Sequence, residues 1–421
     1  MKKTIEASLT EDYTHPVRDV LWGHIYMTEK QALLTEAAPF MRLHRILQLG
    51  PVYHVYPGAT HTRASHSLGV YHLGRRLLQN LVERGGSEWL SKQGIKSFLT
   101  ACLLHDLGHF PYTHSLKELP LISHEALTAA IIMEEPMKSL VGNAGADPCL
   151  CAAIIDREME GTSVELFFYR KLLSGALDPD KLDYLNRDAR YCGVPYGAQD
   201  VDFIMSRLYP SKERGVDIDS RLIPNVESIL FSKYLMYRTV YWHRQVRAAT
   251  AMVKKALIKG LESGKINENE LYNLDDTSLF TLLEKKTGDS LVESVLKGRI
   301  FTTAAEIPHE KTCLSSIKKI ENRVRLEQQI AAEFSKKGVK LTGDEVILDI
   351  PEPVSFETGL YVTDEKCDFN ESSSAFKTET VNAFIKTLYT VRIFLDQKFK
   401  DILKTFPHTY SIIYKVLGRE A

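Results

Sequence analysis

The sequence predicts a mostly α-helical fold, a helical domain over residues 1–300, with a smaller C-terminal α+β region over residues 301–421. Three observations carry the helical body and the change of texture. Apolar residues recur at helical spacing through the first 260 residues. The segment 226–263 has almost no Gly or Pro and is rich in strong helix formers. After about residue 300, short apolar runs bounded by prolines replace the helical periodicity.

Each element follows from a local signal. Leu73, Leu77 and Leu81 form a stripe that predicts a helix over 65–84. Ile95, Phe98, Leu99, Cys102 and Leu103 share one face of a helix over 95–107, with Gly108 as its stop. Segments 124–134, 149–158 and 163–174 read as helices. So does 180–190, started by Asp178-Pro179. Segment 226–263 predicts one or two long helices, and 269–285 and 290–297 shorter ones. Val346–Ile350, stopped by Pro351 and Pro353, predicts a strand, as do 359–362 and 388–394. Helices are expected over 318–336 and 397–417, and a loop over 371–374.

Composition excludes several classes. With 53 Lys+Arg against 54 Asp+Glu, the chain shows no excess of positive charge that would indicate nucleic acid. No run reaches the roughly 18 apolar residues needed to span a bilayer, so no membrane partner is expected. The six cysteines are scattered, and Cys149-Leu-Cys151 lacks the second pair of a zinc site, which points to a reducing cytoplasm. Many of the 14 histidines lie between His44 and His124.

Those histidines direct attention to four segments. They are Arg63-Ala-Ser-His66-Ser-Leu-Gly-Val, Leu104-His105-Asp106-Leu-Gly-His109-Phe-Pro-Tyr-Thr-His114, Ser123-His124-Glu125, and Asp178-Pro-Asp180-Lys181-Leu-Asp183-Tyr184-Leu-Asn-Arg187-Asp188. His105-Asp106 ends an apolar helix, where a buried imidazole and carboxylate need a partner or a metal. Taken alone, the doublet serves equally as metal ligands or as a solvated helix end. Adding His66 and Asp180, both at helix starts, yields two imidazoles and two carboxylates, a sufficient ligand set for Zn, Fe, Mn, Co, Ni or Mg with positions left for water and substrate.

In this order the four segments closely resemble the HD-domain metal-dependent phosphohydrolases, and within them the dNTP triphosphohydrolase branch. Gln48-Leu49-Gly50 and Val55-Tyr-Pro-Gly-Ala-Thr-His61 add to the match, which covers roughly residues 15–250. With no SAM domain before it, the chain reads as a catalytic core alone. The resemblance implies His66, His105, Asp106 and Asp180 as metal ligands. It places His109, His114, His124 and Glu125 around the triphosphate. There His114 or His124 would protonate the leaving oxygen, and Glu125 would fix the tautomer of His124 or orient water. Arg63 and Lys181 suit phosphate oxygens. Tyr184 and Asp188 share a helix face with Asp180 and match substrate-contacting positions. Asp183 and Arg187, on a neighbouring face, read as an ordinary salt bridge. Of the stripe Tyr234, Tyr237 and Tyr241, the first two read as core. Tyr241, with Gln48 and Leu49, matches the wall beside the deoxyribose, where close packing excludes a 2′-hydroxyl.

Two departures stand out. Glu36, Met41 and His44 stand where the best-known member of that branch carries the residues that read guanine at an activator site, and Lys117 stands where an acid follows the family's leaving-group histidine. A nucleotide effector other than guanine-specific, and assembly as a homo-oligomer, remain expected. The leading reading is metal-dependent hydrolysis of dNTPs to deoxynucleoside and inorganic triphosphate. The alternatives are an HD phosphohydrolase of nucleoside monophosphates or another phosphoester, and a catalytically idle nucleotide- or nucleic-acid-binding regulator. His309, like His15 and His408, has no assigned role.

Overall fold

The computed structural model describes residues 2–308, 317, 319–352 and 354–418. His309, Cys313 and Pro353 lie outside the described residues. The fold is mostly α, with small sheets. Helix α1 (Lys2–Thr10) precedes a hairpin of β1 (His15–Asp19) and β2 (Gly23–Met27), followed by α2 (Glu29–Glu36) and α3 (Ala38–Leu43). Next come α4 (Arg63–Glu83), α5 (Lys92–Leu104), α6 (His124–Met133), α7 (Met137–Asn143), α8 (Pro148–Ile155), α9 (Val164–Leu173), α10 (Pro179–Cys192) and α11 (Val201–Met205). A second hairpin, β3 (Leu208–Ser211) and β4 (Gly215–Ile218), leads into α12 (Ile223–Met236) and α13 (Arg244–Glu262). The shorter α14 (Asp276–Thr287) and α15 (Ser290–Leu296) close the helical body.

The periodic stripes became buried faces. Leu73, Leu77 and Leu81 of α4 and Ile95, Phe98, Leu99, Cys102 and Leu103 of α5 are all fully buried in one core that also takes in α8, α9, α10 and α12. Burial of a Leu or Phe side chain contributes about 1.5–3 kcal/mol, so this face outweighs any propensity term. Side-chain caps set the helix starts that matter later. Thr62 accepts from Ser65 N at α4, Ser123 from Ala126 N at α6, and Asp178 from Lys181 N at α10, whose first residue is Pro179.

Four short strands in the first 300 residues, β1 to β4, correct the expectation of helices alone there. Strands of four or five residues are too short to show a clear two-residue alternation. Helix α5 ends at Leu104 rather than 107. Gly108 is not its stop: a Cβ there would lie 2.2 Å from the carbonyl oxygen of His124, so this glycine lets the His105–Gly108 turn press against α6. Between α12 and α13, residues Tyr237–Tyr241 form a π-turn, in which Trp242 N donates to Tyr237 O at 2.9 Å.

The C-terminal region is α+β. Strands β5 (Thr302–Pro308), β6 (Val346–Asp349) and β9 (Thr390–Leu395) form an antiparallel sheet ordered β5-β9-β6, packed on helices Ile320–Lys336 and Thr409–Leu417. The predicted strands at 346–350 and 388–394 are β6 and β9. Residues on the two sides of position 300 pack closely together. β7 (Tyr361–Val362) pairs in parallel with β4 through Ile218 and Val362, and β8 (Cys367–Asp368) extends that sheet. Buried Arg247 of α13 makes a bidentate ion pair with Asp349 of β6 at 2.9 and 2.6 Å.

Candidate metal centre and substrate cleft

Three helix ends meet at one point: the first turn of α4, the C-terminus of α5 and the first turn of α10. They bring together His66, His105, Asp106 and Asp180. Among the described residues, His66, His105 and Asp106 each offer a ligand atom within 4.8 Å of the others. Asp180 completes the set, its Oδ1 lying 2.9 Å from His66 Nε2 and 3.9 Å from His105 Nε2.

The arrangement around these groups fits a divalent cation. His105 Nδ1 donates to Cys102 O at 3.0 Å, which leaves Nε2 as a lone pair; that buried atom has no hydrogen-bond partner. His66 Nδ1 donates to Asp183 Oδ2 at 2.8 Å, so its Nε2 also faces the cluster. A remote nitrogen tied to a protein acceptor is the usual support of a metal-binding histidine. Burial lowers the His66 pKa, but hydrogen bonds to Asp180 and Asp183 raise it to about 10. Burial would raise Asp106, yet the fields of His105 and Arg63 hold it far below the usual carboxylate range.

A cleft of about 440 Å³ opens from this cluster, a size that suits a small-molecule ligand. On one side stand His109, His114 and His124. His109 Nε2 shares a hydrogen bond with His114 Nε2 at 3.2 Å, and the His109 and His124 rings are 3.9 Å apart. Burial lowers His114 to about 3, helped by Arg63 and Lys117, and lowers His124 to about 3, helped by His114. Neutral imidazoles can meet edge to face this closely because burial keeps them uncharged near pH 7. Glu125 stands behind His124, its Oε2 3.0 Å from Nδ1, and does not line the cleft.

Gln48, Leu49, Tyr184, Asp188 and Tyr241 also line the cleft. Asp188 is buried and already engaged, accepting from His61 Nε2 at 2.7 Å and from the Tyr241 hydroxyl at 2.6 Å. It therefore fixes the tyrosine wall. Arg63 lines the cleft but donates from Nη1 to Asp106 Oδ2 at 2.9 Å; its buried Nε has no partner. Tyr237, read as core, lines the cleft as well, because the π-turn shifts the phase of the tyrosine stripe.

Lys181 does not join the cleft. Next to Asp180 on α10 it projects about 100° away. Its Nζ donates to Gly175 O at 2.7 Å and pairs with Asp178 and Glu357 at 3.4 and 3.2 Å. Glu36, Met41 and His44 are exposed on α2, α3 and the turn after it, outside the cleft.

A family model of the HD domain matches residues 63–154, and one of the HD associated region matches residues 200–392. An uncharacterized protein of Bacillus subtilis is 37% identical over 247 residues, 58% of this chain and 53% of the relative. An uncharacterized protein of Methanocaldococcus jannaschii is 27% identical over 354 residues, 83% of this chain and 72% of the relative. The deoxynucleoside triphosphate triphosphohydrolase of Danio rerio is 26% identical over 348 residues, 73% of this chain and 55% of the relative. The alignments thus span about half the length of the Bacillus subtilis and Danio rerio proteins. A crystal structure of a hypothetical protein from Aquifex aeolicus, 26% identical, superposes with a TM-score of 0.70 and covers 93% of this chain and 99% of that one. A phosphohydrolase of Bacteroides thetaiotaomicron shares the fold, with a TM-score of 0.69 at 22% identity, covering 91% of this chain and 99% of that one.

The chain carries an HD domain followed by an HD-associated region. Within this HD-domain protein, one group behind the candidate metal cluster departs from what the sequence leads one to expect. Asp183, taken for half of an ordinary salt bridge, is fully buried and accepts from Trp22 Nε1 (2.6 Å), His66 Nδ1 (2.8 Å) and both Arg187 Nε and Nη2 (2.8 and 2.9 Å). A signal was present in the sequence. Gly69 follows His66 by three residues, and a Cβ there would sit 1.8 Å from Asp183 Oδ1. His61 closes the Val55–His61 motif, but its bond to Asp188 spans 127 positions and leaves no local trace. No described helix is long and apolar enough to cross a membrane.

Proposed function

We propose that this HD-domain protein hydrolyses deoxynucleoside triphosphates to deoxynucleoside and inorganic triphosphate with a divalent metal held by His66, His105, Asp106 and Asp180. The observation that carries the reading is the cleft itself, lined together by a His/Asp cluster, three neutral histidines and tyrosines braced by Asp188. A metal bound there would supply Lewis-acid polarisation of a phosphoryl oxygen and activation of water near neutral pH. The spare donors of Arg63 are placed to bind a phosphate oxygen while Nη1 holds Asp106 in position. His114 and His124 are neutral in the free protein, and the charge of a bound polyphosphate would raise their pKa, so that one can deliver a proton to the leaving 5′-oxygen. Glu125 on Nδ1 of His124 sets the tautomer that leaves Nε2 facing the histidine cluster. Leu49 and Tyr241 would confine the sugar and disfavour a 2′-hydroxyl. The similarity to a deoxynucleoside triphosphate triphosphohydrolase supports the substrate class. Homo-oligomer assembly and a nucleotide effector belong to the same reading.

One observation favours a second reading, hydrolysis of a nucleoside monophosphate or another phosphoester. With Lys181 turned to Asp178 and Glu357, the cleft has one cation fewer for a triphosphate tail than the resemblance implies, leaving Arg63, Lys117 and Arg247 in its lining. Incubating the metal-loaded protein with each dNTP and NTP and resolving the phosphate products tests both. Inorganic triphosphate supports the first reading; release of monophosphate alone refutes it.

A further inference from the structure

The wall that carries Gln48 and Leu49 has little hold of its own. Residues Arg45–Leu49 form no regular element, and Gln48 Oε1 is buried with no hydrogen-bond partner. Backbone bonds locate this segment instead. On its cleft side Gln48 N donates to His61 O at 3.0 Å and Arg63 N to Ile46 O at 3.0 Å, tying it to the entry of α4. On its far side it meets the start of α14, some 230 residues later in the chain. Leu47 N donates to Asp276 Oδ2 at 2.7 Å, and Asp276 N donates to Arg45 O at 3.2 Å. Arg45 Nε donates to Asp275 Oδ2 at 2.6 Å, while Asp275 also caps α14 through Ser278 N at 2.8 Å.

The same end of α14 also holds the opposite wall. Leu274 O accepts from Arg42 Nη1 at 3.0 Å, and that guanidinium donates to His109 O at 2.6 Å and to Leu107 O at 2.5 Å. Phe280 of α14 packs edge-on to Tyr112, with ring centroids 6.4 Å apart. Both sides of the cleft are therefore referenced to one short stretch, Leu274–Asp276, in the region matched as HD-associated.

We propose that Asp276 is a positioning residue for the sugar-facing wall: its bond to Leu47 N sets how closely Gln48 and Leu49 approach the Tyr241 side, and so sets discrimination against a ribose 2′-hydroxyl. The discrimination rests on the dNTP reading above; the ordering of the wall does not. Removing the side-chain acceptor of the part-buried Leu47 N–H is expected to relax a contact by about tenfold in affinity. Asp276→Asn keeps an acceptor oxygen for Leu47 N, whereas Asp276→Ala removes it.

The experiment compares full-length wild type, Asp276→Ala and Asp276→Asn by amide hydrogen exchange over residues 45–50 and 63–83, and by kcat and KM for dNTPs and NTPs. In Asp276→Ala, exchange is expected to rise over 45–50 and stay level over 63–83. KM for dNTPs should rise and the dNTP/NTP ratio of kcat/KM should fall about tenfold at similar kcat, with Asp276→Asn close to wild type. Unchanged exchange over 45–50 in Asp276→Ala overturns the proposal whatever the activity. So does faster exchange with an unchanged dNTP/NTP ratio, or an Asn variant as impaired as Ala. If wild type hydrolyses no dNTP, the functional reading falls, and the positioning role of Asp276 is decided by the exchange alone.

Discussion

Replacing Asp183 with Asn tests whether the metal centre depends on a carboxylate that touches no substrate. Two donors reach each oxygen: Trp22 Nε1 and Arg187 Nη2 on Oδ1, His66 Nδ1 and Arg187 Nε on Oδ2. An asparagine offers one oxygen, so whichever way the amide turns, its NH2 group confronts two donors. Breaking a buried ion pair costs about 3–5 kcal/mol. Arg187 retains Asp19 Oδ2 at 2.8 Å, which places the expected loss near the lower end, about 3 kcal/mol. The His66 ring loses its fixed orientation at the same time, and metal affinity should fall about 10- to 100-fold. Urea unfolding of the apoprotein measures the first effect and Mn or Zn titration calorimetry the second. Asp180→Asn is the control. Its side chain is 39% exposed, so it should weaken metal binding with a smaller loss of stability than Asp183→Asn. An Asp183→Asn variant within about 1 kcal/mol of wild type and binding metal within about twofold would refute the argument.

Three further outcomes are expected. Asp106→Ala should abolish metal binding and turnover while the far-ultraviolet circular dichroism stays helical, because Asp106 lies in a turn outside α5. Tyr241→Phe leaves a buried Asp188 oxygen without its donor; urea unfolding should show a loss of about 1–3 kcal/mol, and KM should rise. His72 titrates at about 4 in the fold, through burial and then Arg76 and Arg75, against an ordinary value of 6.5. The unfolded chain therefore takes up a proton first, and stability should fall as pH drops from about 6.5 to 4, by at most about 1.4 kcal/mol per pH unit. His72→Gln should flatten the unfolding profile across that window.

What the sequence alone determined is local. Periodicity located the major helices of the body, and Asp178-Pro179 marked the start of α10 where the structure has it. The motif order picked out residues that converge as a His/Asp cluster able to hold a metal, and His109, His114 and His124 lie together in the cleft lining. These features depend on neighbours a few residues apart, or on residue types that are costly to bury without a partner.

Only the tertiary structure decided which way each charged side chain faces. Asp180, Lys181 and Asp183 all belong to the first turns of α10. The packing of α10 on α4 turns one to the metal cluster, one to Glu357 and one behind His66. Helical spacing supplies the period of a face but not its phase, because the phase is set by the partner surface. The same holds for Asp276 on Leu47 and His61 on Asp188, whose partners lie 229 and 127 positions away. Such bonds form once the backbone has been folded into proximity, and they leave no pattern in the chain to be read beforehand.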